Sequence, residues 1–448
     1  MLLQRRRIKR SSAHFFERMR FMKLQKVLAA VSAAAMLALT LCSCASAEGT
    51  TAEKTGASTA GGSGDTIKIG LLFSESGSTA IVEKTMTNAC IMAFDEINEA
   101  GGIKGRKIEY VHEDYASDPA TATSKIKKLI EQDEVAATVG CYTSASRQAT
   151  LSTLKDDNSL LIYPVYTEGE EVHPNVIYVG NMPNQQATDF IPWLMDNVGK
   201  KVFLVGSDYV FPKTCNKQAR ALVEMYGGEV VGEEYAPLGH TDFSTIVNKI
   251  KDSGADLVYS ALIGDSNTAF YKDYSQYGLS AATCPICAIG IDESNLQAIG
   301  NDYSEGHYAS MAYFSSLDTD ASKKFVEKYN SLYNDGTVVT DLTEAAYDSC
   351  YLLKAALEKV EDPYDTDALI AAFGGVSFDG PQGTVKVDEF NHCTWVYSRF
   401  GKVHDGSVDI LYSSDAALRP EPWPSILYPE YAASNFMPAW DDPMCYPQ

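Results

Sequence analysis

From Thr66 onward the chain alternates short β-branched runs with amphipathic segments, and this alternation constrains the fold more than any other feature. Ile67-Lys68-Ile69-Gly70-Leu71-Leu72-Phe73 has the near-continuous apolar character of a strand buried on both faces. The next segment, 82–100, sets Ala89, Met92, Ala93 and Ile97 on one helical face, and Gly101-Gly102 stops it. A strand over 107–113 and a helix over 120–131 follow, the helix with Asp118 as N-cap and Pro119 at its first position. Strands over 135–140 and 160–165 then flank a helix over 144–155. The rhythm restarts at 201–206 and runs through helix 213–226, strand 229–234, helix 243–252, strand 256–263 and helix 266–277. Strand–helix–strand order implies mostly parallel sheets covered by helices. Two successive units of similar size predict two lobes. Helix 345–358 and the strands 384–387 and 394–398 are too few for a third domain. They are expected to complete the earlier sheets, so the chain crosses between lobes more than once.

The N-terminus has a different chemistry. Lys23 and Lys26 precede an uncharged stretch from Val27 to Leu41, shorter than the ~20 apolar residues of a membrane span. It ends in Leu41-Cys42-Ser43-Cys44, which has the form of a bacterial lipobox with Cys44 as the acylated residue; plain cleavage near Ala45-Ser46-Ala47 is the alternative. Residues 1–21 fit this signal poorly, and Met22 is a candidate start. Ala45 to Asp65, rich in Ala, Gly, Ser and Thr, has little to bury and suits a flexible tether. An exported protein held at the outer face of the cytoplasmic membrane by lipid alone is the expectation.

Composition narrows the function. Of 448 residues, 59 are acidic and 37 are Lys or Arg, giving a net charge of −22; the first 43 residues hold nine bases and one acid, so the remainder is more acidic still. Nucleic acid is excluded as a partner, because phosphate binding needs clustered cations. Cys284-Pro285-Ile286-Cys287 has redox-motif spacing but precedes a strand-like run, so packed thiols or a local bridge are expected over a catalytic pair. The seven His have no metal-ligand spacing, and phosphate-loop, dinucleotide and nucleophile-elbow motifs are missing. No cofactor, metal or catalytic residue is therefore assigned.

In open α/β sheets, ligands bind beyond the C-terminal ends of the strands. The residues there are Ser74 to Ser78, Gly140 to Ser144, Tyr163 to Glu168, Gly206 to Tyr209, Gly264 to Asn267 and Ile291 to Glu293. They offer hydroxyls, carboxylates and aromatic walls with little basic character. Tyr142, Tyr163 and Tyr209 can cover a small planar ligand and supply an O–H. Thr143 and Ser144 stand at a helix start, where hydroxyl and backbone N–H groups can meet a carbonyl oxygen, although capping is the alternative role. Asp265 and Glu293 can accept N–H donors. This set suits a small neutral polar solute such as an amide.

The same tips carry a resemblance. Gly140-Cys141-Tyr142-Thr143-Ser144-Ala145-Ser146-Arg147, Asn184-Gln185-Gln186, Gly206-Ser207-Asp208-Tyr209-Val210-Phe211-Pro212, the run Pro237 to Val247, Gly264-Asp265-Ser266-Asn267, Glu344-Ala345-Ala346-Tyr347 and Arg419-Pro420-Glu421-Pro422 resemble the type I periplasmic binding proteins, in the branched-chain amino acid and amide branch, and most closely the urea-binding components of ABC importers. The resemblance implies a two-lobed α/β fold in which each lobe is a mostly parallel sheet flanked by helices, with three crossovers between lobes. It implies permease subunits as partners and Tyr142, Ser144, Tyr163 and Tyr209 lining the cleft, with Asp265 in a segment typical of the urea branch. Tyr142 departs from the Trp common in that branch, whereas Val165 agrees with it. The expected division is a signal at 1–43, a tether at 44–65, a first lobe of 66–187 with about 315–372, and a second lobe and tail of 188–314 with about 373–448. Urea or a short amide is the expected ligand. A branched-chain amino acid binder and an amide sensor are alternatives on the same fold, and an amidase is a remote one.

Overall fold

The computed structural model describes residues 66–431. Its first sheet contains β1 (Thr66–Leu72), β2 (Lys107–Glu113), β3 (Ala137–Gly140), β4 (Leu161–Tyr163) and β5 (Val176–Tyr178), in the order β2-β1-β3-β4-β5 with every pairing parallel. The intervening helices are α1 (Ala80–Glu99), α2 (Pro119–Glu131) and α3 (Ser144–Asp156). They begin where the side chains dictate. Asp118 Oδ1 accepts the Thr121 N–H at 2.7 Å ahead of Pro119, and Thr143 Oγ1 accepts the Ser146 N–H at 3.1 Å. β3 and β4 are buried at every residue, as strands covered on both faces must be.

The chain then passes through α4 (Pro183–Ala187) and α5 (Phe190–Asn197) to a second sheet. Its parallel strands are β6 (Lys201–Ser207), β7 (Glu229–Ala236), β8 (Leu257–Ala261), β9 (Ile286–Ala288) and β10 (Tyr308–Met311). They are linked by α6 (Val210–Met225), α7 (Ser244–Ser253), α8 (Ser266–Gln276), α9 (Glu293–Ile299) and α10 (Asn301–Ser304). A second crossing leads to α11 (Asp320–Leu332), α12 (Asp341–Leu357) and α13 (Thr366–Phe373) on the first lobe. There α12 lies along α1: Thr343 Oγ1 donates to Thr85 Oγ1 at 2.9 Å, and Tyr347 and Tyr351 both donate to Glu96 at 2.5 Å.

One boundary differs from expectation. Residues after 372 were expected in the second lobe. Instead β11 (Ser377–Gly380), β12 (Gly383–Val387) and β13 (Thr394–Trp395) form a separate antiparallel sheet. It packs β11 on α12 and joins the edge of the first sheet through a Tyr178–Cys393 bridge. The third crossing therefore falls between Trp395 and Arg399, after which β14 (Arg399–His404) and β15 (Ser407–Ser413) pair antiparallel beside β10. The local cause is the exposed edge of β5, which a hairpin covers better than solvent does. The tail then returns to the crossings: Asn184 Nδ2 donates to Arg419 O at 2.9 Å, and the Glu170 N–H donates to Pro422 O at 2.6 Å. The described cysteines, Cys90, Cys141, Cys215, Cys284, Cys287, Cys350 and Cys393, are all free and buried.

Candidate functional site

The C-terminal ends of the two sheets face one another, and the loops beyond β3, β4, β6 and β9 meet there. Gly140 is required at the end of β3: its φ is +149°, and a Cβ would stand 2.3 Å from Leu72 O. Beyond it, the Tyr142 N–H donates to the Tyr115 hydroxyl at 3.1 Å, and Tyr163 donates its hydroxyl to Tyr142 O at 2.5 Å. The Tyr142 and Tyr166 side chains lie near each other. Tyr166 tilts against Phe211 of α6 at 5.3 Å between ring centroids, and Phe211 stacks on Tyr209 at 6.3 Å. An aromatic wall thus runs from the first lobe to the second.

The lobes touch along this wall. Gln218 Nε2 of α6 donates to Glu168 O at 2.9 Å, and Lys217 pairs with Glu170 at 2.9 Å. A Cβ on Gly264 would reach van der Waals contact with Ser78 O, at 3.4 Å. The arrangement is closed, with Tyr142 and Tyr166 each 4% exposed.

Two charged groups border the wall. Arg147 is fully buried on α3; its Nε donates to Glu171 at 2.7 Å and its Nη2 to Glu168 at 3.0 Å, with its guanidinium over the Tyr163 ring. Its N–H groups are thereby committed within the first lobe. Burial works to raise the Glu171 carboxyl, and the Arg147 charge and hydrogen bonds together bring it below the usual carboxylate range. On the second lobe, Asp292 caps α9, accepting the Asn295 N–H at 3.0 Å, and lies near both Tyr142 and Tyr166. Burial pushes the Asp292 carboxyl up to about 6. Glu83, held by the Ser74 N–H at 2.7 Å and by Thr79 Oγ1 at 2.5 Å, is pushed by burial to about 7.

The expected residues fall into three groups. Tyr142 and Tyr209 stand at the wall. Thr143, Ser144 and Tyr163 lie behind it with their hydroxyls engaged: Thr143 caps α3, Ser144 donates to Glu168 at 2.6 Å, and Tyr163 donates to Tyr142 O. Asp265 is exposed with no side-chain cap, whereas Glu293 is buried and turned to Ser315, accepting its N–H at 2.7 Å. Tyr166, Phe211 and Asp292 are the wall residues that sequence reasoning passed over. Tyr166 and Asp292 belonged to tips already singled out, and their position just past β4 and β9 was the available signal. Cys44, the signal and the tether lie outside the described residues.

These features can be set beside known proteins. Residues 67–429 match the periplasmic binding protein domain family. A Leu/Ile/Val-binding protein homologue from Brucella suis is 29% identical over 353 residues, covering 77% of this chain and 90% of that protein. A leucine-, isoleucine-, valine-, threonine- and alanine-binding protein from Pseudomonas aeruginosa is 25% identical, covering 72% and 86%. Among solved structures, an ABC transporter solute-binding protein from Rhodopseudomonas palustris in complex with p-hydroxybenzoic acid superposes with a TM-score of 0.74 at 25% identity, covering 80% of this chain and 99% of that one. A branched-chain amino acid transporter substrate-binding protein from Streptococcus pneumoniae in complex with isoleucine gives 0.69 at 25%, covering 79% and 100%. With one family spanning both lobes and the sheet order that joins them, this chain belongs to the periplasmic binding proteins of type I fold.

Proposed function

We propose that this chain is the solute-capturing subunit of an ABC importer, working outside the cytoplasm, and that its cleft holds urea or a short amide. The observation that carries the ligand class is the set of acceptors at the wall. Asp292 lies buried near Tyr142 and Tyr166, while Arg147 is committed to Glu168 and Glu171. A neutral solute rich in N–H donors satisfies such acceptors, whereas a free carboxylate would meet no uncommitted guanidinium there. Tyrosine faces suit a planar molecule, and their hydroxyls can donate to its carbonyl oxygen.

A branched-chain amino acid is the second reading. Asp292 could face an ammonium group, and the first turn of α3 presents backbone N–H groups to a carboxylate. The amino acid binders among the relatives favour it. Calorimetry with urea, acetamide and leucine separates the two. Heat with urea or acetamide supports the first; tight leucine binding with no urea response transfers the site to the second. Cys44 is proposed as the membrane anchor. Fatty-acid incorporation that persists in Cys44→Ala would remove that role.

A further inference from the structure

Five carboxyls gather where the chain crosses between the lobes. Asp292 and Glu293 open α9 of the second lobe, and Asp341, Glu344 and Asp348 lie along α12 of the first; none is more than 4% exposed. They hold the crossings themselves. The Tyr313 N–H donates to Asp341 Oδ1 at 2.8 Å, and Ser315 donates its N–H and its hydroxyl to Glu293 Oε1 at 2.7 and 2.8 Å. The Gln382 N–H and Nε2 donate to Glu344 at 3.1 and 2.8 Å.

Positive charge at this group is scarce. Arg399 faces Asp341 and Glu344, but its Nη1 and Nη2 donate to the carbonyl oxygens of Ala312 and Gln382. The remaining neighbours are the phenols of Tyr313 and Tyr397 beside the crossings, and those of Tyr142 and Tyr166 at the cleft end. Glu293 Oε2 and both Asp348 oxygens find no donor among the described residues. Burial pushes Asp292 to about 6, Glu293 to about 7 and Asp341 to about 8, and raises Glu344 and Asp348 as well.

We propose that the hinge closes by taking up protons: the closed lobes hold this carboxyl group protonated, and raising the pH through neutrality opens them. Ionising the group puts like charges side by side in a site without matching cations, and parting α9 from α12 admits water to relieve them. The closed form therefore binds more protons than the open one and is favoured at low pH. This rests on the solute-capture reading only for the existence of an opening motion. The test uses no solute, so a wrong ligand assignment leaves it standing.

The experiment is small-angle scattering of the ligand-free chain between about pH 5 and about pH 9. The expected result is a radius of gyration that grows with pH in the wild type. In the double variant Glu293→Gln, Asp341→Asn it stays at the compact value, because each amide keeps the acceptor oxygen for Ser315 or Tyr313 and mimics the protonated acid. A wild-type radius that is constant over this range overturns the proposal, as does an equal rise in the variant. Infrared absorption of protonated carboxyls in the wild type needs no variant: a band present at neutral pH and lost on alkalinisation is expected, and its absence at neutral pH refutes the proposal.

Discussion

Two buried charged groups in this molecule solve the same problem in opposite ways. In the first lobe, Glu168 and Glu171 are buried around Arg147, with Ser144, Gln148 and Tyr178 completing their hydrogen bonds. At the crossings, five carboxyls share one Arg399 whose Nη donors go to carbonyls instead. In the first group every carboxylate oxygen finds a donor and the Arg147 charge lies between the two acids, which holds the Glu171 carboxyl low although burial still raises that of Glu168. The second is stable only with protons. A paired group makes a rigid part, and an unpaired one makes a part whose state depends on the solution around it.

The pairing in the first group is broken most directly by Arg147→Met. It leaves two buried glutamates without their cation and should cost about 3–5 kcal/mol in denaturant unfolding at neutral pH. A loss under about 1 kcal/mol would mean that the glutamates are already neutral and that the two groups are alike. Asp341→Asn reverses the sign. The Asp341 carboxyl lies above its unfolded value of 3.8, so the folded chain retains a proton that the unfolded chain releases. Its contribution to stability is undiminished below about pH 4, declines as pH rises, and levels off above about pH 8. The variant should therefore gain about 1–3 kcal/mol over wild type at pH 8 and little at pH 4, read from melts at both. Glu171 moves the other way: with its carboxyl held low, its stabilisation is present above its unfolded value of 4.5 and fades as pH falls through the folded value.

Smaller effects sharpen the division between wall and support. Asp292→Ala should weaken capture of the bound solute by about 1–3 kcal/mol in calorimetry, whereas exposed Asp265→Ala should leave it unchanged. Equal losses would return Asp265 to the site. Thr143→Ala removes the cap of α3 and should lower stability by about 1 kcal/mol, with little change in affinity if its hydroxyl serves the helix alone.

The alternating rhythm was legible because strands buried on both faces and helices with one apolar face have distinct periods, and Asp118-Pro119 marked a helix start within a residue. Short elements were not. Val176–Tyr178 and Ile286–Ala288 are three residues each, too brief for a period, and they appear because neighbouring strands supply their partners. The hairpin after Phe373 was assigned to the wrong lobe because nothing local says which sheet edge a hairpin covers. Within the candidate site, strand ends pointed to the loops that meet at the wall but not to the side chain within each loop. Asp292 and Glu293 are adjacent and chemically alike. Only the turn into α9 makes one the cap of that helix and sets the other against Ser315. The Arg147 pairs join residues 21 and 24 positions apart, a relation that no helical or strand period reports.

The seven described thiols add a practical consequence. All are buried, and they are spread over both lobes. An alkylating reagent meets such a sulfur only when its surroundings come apart, so the rate of modification counts openings rather than collisions. Cys215 on α6 and Cys141 beside Tyr142 stand on opposite sides of the cleft, and Cys90 and Cys350 lie on paired helices away from it. The chain thus carries its own set of internal clocks, distributed so that each lobe can be timed separately.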